Sequence, residues 1–377
     1  MRILVNIARV IVGILFIFSG LIKANDPLGL SYKMQEYFDV WRQYPALNSF
    51  MSWLDNYALA FSIIVITFEI IAGVAILLGW YKKFFSLLLL LLIIFFTFLT
   101  GYAVFSGKIK TCGCFGDCIP LTAMQSFIKD LVLFVLIVLI FFGSRYITPI
   151  LNGTANFFIV LVSTLLVLGI QLHVYKHLPV VDCLPFKKGN NILELRKMPA
   201  NAVQDKVEFR FVYEKNGQQK EFNQNSLPDS TWTFVKREDV VIEKGRNNEP
   251  PIKDFFLNTA SGTDSTEAVL NRAGYYYLFL LRNINTTDSH LLADFTKIDS
   301  FARQRQRPLF IVASQMAEAQ RFNETNNFNV PILSCDVTAL KTAARANPTL
   351  YLMNGPTVVA KWGWPDFNDA VKDRIRK

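Results

Sequence analysis

The stretch 106–120 reads SGKIKTCGCFGDCIP and lies between two apolar runs, at 84–105 and 121–143. Each run is close to the ~20 apolar residues that an α-helix needs to cross the hydrocarbon core of a bilayer. The stretch holds three of the five cysteines in the chain: Cys112, Cys114 and Cys118. This pattern predicts a thiol-rich loop between two membrane helices.

Three further apolar runs predict three more membrane helices, at about 3–21, 58–80 and 155–175. A signal peptide is the competing interpretation of the first run, but no small-residue cleavage site follows it, so we expect a retained helix. The segment 25–57 is amphipathic and aromatic, which is typical of chain at a membrane interface. Together these runs predict an α-helical membrane bundle of about five helices.

Composition divides the chain into two halves. Of the 377 residues, 52% are hydrophobic, yet nearly all long apolar runs precede residue 176 and the charges concentrate after it. This asymmetry predicts a membrane part joined to a soluble part. The formal net charge is +9, but the basic residues flank membrane runs or are interspersed with acids. We therefore expect no nucleic-acid partner.

The second half begins with a β pattern and continues with alternating strands and helices. Residues 207–213 and the chain after Lys215-Asn216-Gly217 predict a hairpin, because Asn-Gly favours a type I′ turn. From about 252 the order is β-α-β-α-β-β, starting at Tyr275–Leu281, which predicts a small α/β domain with a central sheet. The expected domains are a membrane domain, a fifth helix with a linker, a β-rich connecting region and the α/β domain, at 1–150, 151–180, 181–250 and 251–377.

Motifs in about the first 145 residues resemble those of the DoxX/MauE family of small integral membrane proteins. The motifs are Phe18-Ser19-Gly20, Lys23, Asp26-Pro27-Leu28-Gly29, Glu69 and Cys112-Gly113-Cys114-Phe115-Gly116-Asp117. MauE-type proteins are implicated in maturing the disulfide-rich small subunit of methylamine dehydrogenase. DoxX-type proteins are associated with thiosulfate:quinone oxidoreduction or thiol homeostasis. The resemblance thus implies a redox role at a membrane and leaves the substrate open.

The α/β domain resembles a thioredoxin-like fold. Its segment Asn347-Pro348-Thr349 resembles the place where thioredoxins carry a cis-proline, which makes Pro348 the candidate. The resemblance implies a dithiol directly after Tyr275–Leu281, but the chain has RNINTTDS at 282–289, without a cysteine. We therefore expect this domain to dock a partner or to support the fold, rather than to exchange dithiols itself.

The cysteine loop allows three roles. In a redox role, a thiolate attacks a disulfide and a neighbouring cysteine resolves the intermediate. In a structural role, a Cys114–Cys118 or Cys112–Cys118 bond braces the loop. In a metal role, the three thiolates hold a soft metal ion. We favour the redox role and assign no metal ligand.

Two further cysteines follow the membrane runs. Cys183 lies a few residues beyond the fifth run, on the same predicted side of the membrane as the loop. It is either a partner of a loop cysteine, a relay toward the soluble part, or an unpaired thiol. Cys335 ends a predicted strand, and we expect it to belong to the core.

Glu69 lies near the middle of the run 58–80. A carboxylate at this depth is costly unless it is neutral, paired or facing a polar cavity, which predicts a functional role. The two interpretations are proton handling during quinone reduction and a polar clasp between helices. The expected partners of the carboxylate are Lys129, Asp130 and Arg9.

These features predict a multi-pass inner-membrane protein with an extracytoplasmic C-terminal half. Arg2, Lys82-Lys83 and Arg145 mark the cytoplasmic side, and disulfides persist on the other side. The expected function is thiol–disulfide or related sulfur redox chemistry with a protein client, and a quinone is the candidate cofactor. The candidate catalytic residues are Cys112, Cys114, Cys118, Glu69 and Cys183.

Two other functions stay open. The protein is alternatively a non-catalytic membrane assembly or accessory protein whose cysteines only brace the loop, so whether it is an enzyme is undecided. A transporter is the weaker option, because the sequence has no evident inverted repeat and no pair of broken helices.

Overall fold

The computed structural model describes residues 1–109, 113, 116–243, 245, 247–284 and 289–372. The α-helices of the first half are α1 (Arg2–Ala24), α2 (Pro27–Arg42), α3 (Asn48–Asn56), α4 (Ala58–Leu78), α5 (Lys82–Ser106), α6 (Ala123–Phe142) and α7 (Gly153–Lys176). Within the described residues, five of them are long and apolar enough to cross a membrane: α1, α4, α5, α6 and α7. The five predicted spans are therefore confirmed, and they imply a lipid bilayer environment.

Helices α1 and α4 pack closely because glycines lie at their contact. A Cβ atom at Gly20 would lie 2.3 Å from Cγ1 of Ile70, and one at Gly13 would lie 2.4 Å from Cγ of Leu77. Small residues let helix backbones approach in a membrane, where van der Waals packing replaces the hydrophobic effect as the driving force. This approach brings the end of α1 beside the middle of α4.

The chain after α7 forms a short helix and then a three-stranded antiparallel sheet. The elements are α8 (Ile192–Leu195), β1 (Lys206–Lys215), β2 (Gln218–Asn223) and β3 (Thr233–Glu243), in the sheet order β2-β1-β3. Asn216 and Gly217 join β1 to β2 with φ angles of 54° and 75°. Positive φ at both central residues is what a type I′ turn requires, so the predicted hairpin is confirmed.

A five-stranded sheet follows, with a helix between each consecutive pair of its first four strands. The elements are α9 (Thr266–Leu270), β4 (Tyr275–Leu281), α10 (Ser289–Gln304), β5 (Leu309–Ala313), α11 (Met316–Thr325), β6 (Ile332–Ser334), α12 (Val337–Ala343), β7 (Thr349–Asn354), β8 (Thr357–Gly363) and α13 (Phe367–Lys372). The sheet order is β6-β5-β4-β7-β8, with β4, β5 and β6 parallel and with β7 and β8 antiparallel to their neighbours.

The central strand β4 decides how this C-terminal unit (the α/β elements from α9 to α13) is built. Its residues from Tyr276 onward are buried, because one hydrophobic core lies on each face of the sheet. Phe186 and Ile192, from the linker after α7, belong to one of these cores. The linker is therefore packed against the C-terminal unit. The peptide bond before Pro348 is cis, as predicted.

Candidate functional site

A disulfide joins Cys118 to Cys183, with 4.8 Å between their Cα atoms. Cys118 precedes α6 and Cys183 follows α7, so two membrane spans separate the cysteines and return the chain to the same face. The sequence allowed Cys118 to pair with a loop neighbour or with Cys183, and in the structure it pairs with Cys183. The candidates Cys112 and Cys114 lie outside the described residues.

Glu69 forms a buried ion pair with Lys23. The Lys23 Nζ atom donates to both carboxylate oxygens, at 2.9 Å to Oε1 and 2.7 Å to Oε2. The two side chains are only 4% and 3% exposed, and Nζ also lies 4.9 Å from the centroid of the Phe96 ring. The carboxylate is thus paired within the bundle, as its cost in a bilayer demands.

The partners that the sequence predicts for Glu69 are wrong. Lys129 pairs with its neighbour Asp130, with 2.5 Å between Nζ and Oδ1, and Asp130 Oδ2 accepts a hydrogen bond from Thr100. Arg9 donates to the backbone carbonyls of Thr148 and Leu77. The observed partner, Lys23, lies just after the predicted apolar run 3–21 and within α1 of the structure, where the close packing of α1 on α4 brings its ammonium group to Glu69.

A cavity of about 80 Å³ connects these charges with the cysteine loop. Its lining contains the Lys23–Glu69 pair, the Lys129–Asp130 pair and Gly113, which stands between Cys112 and Cys114 in the chain. Such a volume has room for several water molecules, since one needs about 10–15 Å³. The remaining lining is largely apolar and aromatic, including Phe16, Phe95 and Phe96.

The motif Asp26-Pro27-Leu28-Gly29 starts α2 and presents a carboxylate to the C-terminal unit. Asp26 Oδ1 accepts a hydrogen bond from the Gly29 backbone nitrogen at 3.0 Å, which caps the helix. A Cβ atom at Gly29 would lie 2.6 Å from Asp26 Oδ2. The absence of a side chain there leaves room for Oδ2 to accept from Arg345 Nε at 2.8 Å.

The C-terminal unit contacts the bundle with the end of its sheet that follows β4. Arg282, directly after this strand, donates to the hydroxyl of Tyr32 in α2. Burial and the charge of Arg345 lower the pKa of Arg282 to about 10. A cleft of about 930 Å³ lies at this contact, and its lining includes Tyr32, Arg282, Asn283 and Pro348. The end of the sheet that follows β4 therefore faces the membrane bundle.

No metal centre is evident in the part of the chain that the structure describes: it contains no group of three or more His, Cys, Asp or Glu side chains arranged to hold an ion.

Cys335 is a buried free thiol in the C-terminal unit. Desolvation, together with the adjacent Asp336 carboxylate, raises its pKa above the ordinary thiol range to about 12. Because the thiolate is the nucleophile, we expect iodoacetamide at pH 8 to alkylate folded Cys335 about a thousandfold more slowly than an exposed thiol of ordinary pKa. Alkylation timed by peptide mass spectrometry checks this, with the urea-unfolded chain as control. Rapid modification of the folded protein would contradict the burial of the thiol.

Two family models match parts of the chain. Residues 1–143 match the family model described as methylamine utilisation protein MauE. Residues 207–244, which contain β2, β3 and all but the first residue of β1, match a domain of unknown function, DUF8463. Searches of curated proteins and of solved structures returned no match. The cysteine loop and the buried Lys23–Glu69 pair thus belong to a MauE-like membrane domain.

Proposed function

We propose that this protein is a membrane redox protein that performs thiol–disulfide chemistry with an extracytoplasmic protein client. The observation that carries the proposal is the Cys118–Cys183 disulfide, which adjoins a loop with two further cysteines, Cys112 and Cys114. A formed disulfide next to additional thiols is the arrangement that successive exchange steps require. Cys118 follows three membrane spans and Cys183 follows five, so with the N-terminus in the cytoplasm both cysteines lie outside it. Together with the persistence of disulfides outside the cytoplasm, this supports an extracytoplasmic C-terminal half.

The exchange balances as a two-electron reaction. One client thiolate attacks a sulfur of the Cys118–Cys183 bond, that bond breaks, and a mixed disulfide forms. A second client thiolate then displaces the protein sulfur, so the client is oxidised to a disulfide and the protein pair keeps two electrons and two protons. The pair in turn passes the two electrons and two protons by way of Cys112 and Cys114 to the acceptor, and the Cys118–Cys183 bond forms again. A quinone, taking two electrons and two protons to become a quinol, is the acceptor class that we propose.

Glu69 is proposed to assist the proton transfers to that acceptor. The support is geometric: the Lys23–Glu69 pair lines a cavity that also reaches Gly113 in the cysteine loop.

The C-terminal unit is proposed to be a thioredoxin-like docking module in an inner-membrane protein. Its strand order, with three parallel strands followed by two antiparallel ones, supports the fold. The cleft beside Arg282 and Pro348 supports a docking role, because it opens next to the membrane bundle.

A redox titration of the full-length protein in native membranes tests the proposal. Membranes are poised with graded glutathione buffers, quenched in acid and alkylated before and after reduction, and the cysteines are then read by peptide mass spectrometry. We expect the Cys118–Cys183 bond to open and close with the poise, and Cys335 to stay protected as the internal control. A bond that stays closed at every poise, or cysteines that form no mixed disulfide, would contradict a redox function.

The second candidate is a non-catalytic assembly or accessory protein. It is favoured by the fact that the Cys118–Cys183 bond braces the membrane loop against the linker. In this case the bond stays closed at every redox poise. A Cys118→Ser/Cys183→Ser variant is then less stable, but the oxidation of client proteins does not change, because the bond takes no part in it.

A further inference from the structure

Both cysteines of the disulfide directly follow an aspartate that pairs with a basic residue of the C-terminal unit. Asp117 Oδ2, next to Cys118, lies 2.9 Å from Arg345 Nη2. Asp182, next to Cys183, pairs with Lys361. The C-terminal unit therefore holds the two segments that carry the bonded sulfurs.

The two basic side chains are fixed in place. Arg345 lies between α12 and β7, is 5% exposed, and also pairs with Asp26 at the start of α2. Lys361 is on β8, is 8% exposed, and its Nζ lies 5.8 Å from the centroid of the Tyr351 ring. Desolvation lowers the pKa of Lys361 despite its acidic partner. Such side chains have little freedom to leave their carboxylates for water.

Neither ion pair uses an atom of the disulfide, so both pairs can persist when the S–S bond is broken. A reduced Cys118 and a reduced Cys183 would then remain near each other, at a high effective concentration for reaction. Without these pairs, the C-terminal unit would no longer hold Cys183 beside the reduced Cys118. The thiols nearest to Cys118 in sequence, Cys112 and Cys114, would then compete for it.

We propose that Arg345 and Lys361 are positioning residues, which keep the reduced Cys118 and Cys183 paired and direct oxidation to the bond between them. This gives the C-terminal unit, which lacks a dithiol in its described residues, a role in the chemistry of the membrane loop. It deepens the proposed function and rests on it only in requiring that the bond opens in use.

The test follows re-oxidation of the full-length protein in nanodiscs, after complete reduction with a phosphine and its removal. Oxidised glutathione is the oxidant: one protein thiolate takes one glutathione half and releases the other. The second protein thiolate then displaces the bound half, so two electrons pass to glutathione and both released glutathione thiols take up the protons. Acid quench and peptide mass spectrometry identify the partner of Cys118 over time.

The measured ratio is the amount of Cys118 bonded to Cys183 divided by the amount bonded to a loop cysteine or to glutathione. We expect the double variant Arg345→Met/Lys361→Met to lower this ratio by about tenfold, because the effective concentration of Cys183 at Cys118 falls. Arg345→Lys, which keeps a charge, should lie between this variant and the unmodified protein. The control is Lys206→Met, since the Lys206–Glu243 pair is an exposed ion pair of the three-stranded sheet.

Protection of Cys335 from alkylation reports whether the C-terminal unit is folded in each variant. If Cys335 stays protected and Cys118 still pairs with Cys183 at the unmodified rate and yield, the positioning role is overturned. If Cys335 becomes exposed, the variants Asp117→Asn and Asp182→Asn decide the question, because they remove the same ion pairs without changing a residue of the C-terminal unit. A lowered ratio in these variants supports the positioning role, and an unchanged ratio overturns it. A bond that never opens in the redox titration of membranes contradicts the proposed function. The re-oxidation test does not depend on that result, because the phosphine opens the bond chemically.

Discussion

Replacing Lys23 with methionine is expected to destabilise the membrane bundle by about 3–5 kcal/mol, because breaking a buried pair leaves an uncompensated charge. The charge concerned is that of Glu69, whose side chain is 3% exposed in the bundle. The measurement is unfolding of the purified protein in mixed micelles with increasing SDS, followed by tryptophan fluorescence. The unmodified protein provides the reference free energy of unfolding.

The double variant Lys23→Met/Glu69→Leu is the matched control. Removing both charges leaves apolar side chains of similar size, a change that is often neutral or stabilising for a buried pair. We therefore expect the double variant to recover most of the stability that the single variant loses. A single variant as stable as the unmodified protein would show that Glu69 does not depend on Lys23. A stable double variant that no longer passes electrons to a quinone would support the role of Glu69 in proton transfer.

The variant Cys118→Ser/Cys183→Ser is expected to lose about 4 kcal/mol of unfolding free energy in the chain-entropy model of a cross-link. The reason is the length of the closed loop, since the cysteines are separated by 65 positions. Without the bond, the unfolded chain gains conformational freedom that the oxidised protein lacks. Urea unfolding in detergent, followed by circular dichroism, measures the difference.

The reduced form of the unmodified protein serves as the control for this second prediction. Reduction removes the same cross-link without changing any side chain elsewhere, so the reduced protein and the serine variant should unfold at nearly the same urea concentration. A serine variant as stable as the oxidised protein would contradict the expected stabilisation. A serine variant less stable than the reduced protein would point to a packing role for the sulfurs.

Length and periodicity were enough to predict the membrane spans and the central strand of the C-terminal sheet. Membrane spans are long apolar runs because every backbone polar group must be satisfied within the helix, so 58–80 in the sequence corresponds to Ala58–Leu78 in the structure. Strand β4 was predicted at Tyr275–Leu281 because a fully apolar run of seven residues suits a strand buried on both faces. These are local properties that neighbouring residues determine.

The ion pairs could not be predicted in the same way. Lys23 and Glu69 are 46 positions apart, and their contact depends on the rotation of α1 against α4, which hydropathy does not encode. The glycines at 13 and 20 were a signal of close approach that a spacing argument could have used. Likewise, a count of cysteines allows several connectivities, and the pairing of Cys118 with Cys183 needed the path of two intervening helices.

The positioning residues had only a weak signal in the sequence. Asp117-Cys118 and Asp182-Cys183 share the same order of acid and thiol, and this repetition could have pointed to a common environment. Nothing local pointed to Arg345, which lies 228 positions after Asp117. Long-range electrostatic contacts of this kind depend on how two folded units dock.

The order of synthesis gives the Cys118–Cys183 bond a further consequence. A chain made from its N-terminus exposes Cys118 before α6 and α7 have been inserted, while Cys183 emerges only after both helices have crossed the bilayer. During this interval Cys118 has only its loop neighbours as partners, so early oxidation would trap a wrong bond. The Cys118–Cys183 bond therefore forms only after both intervening helices have been made, so its presence marks a chain in which α6 and α7 are complete.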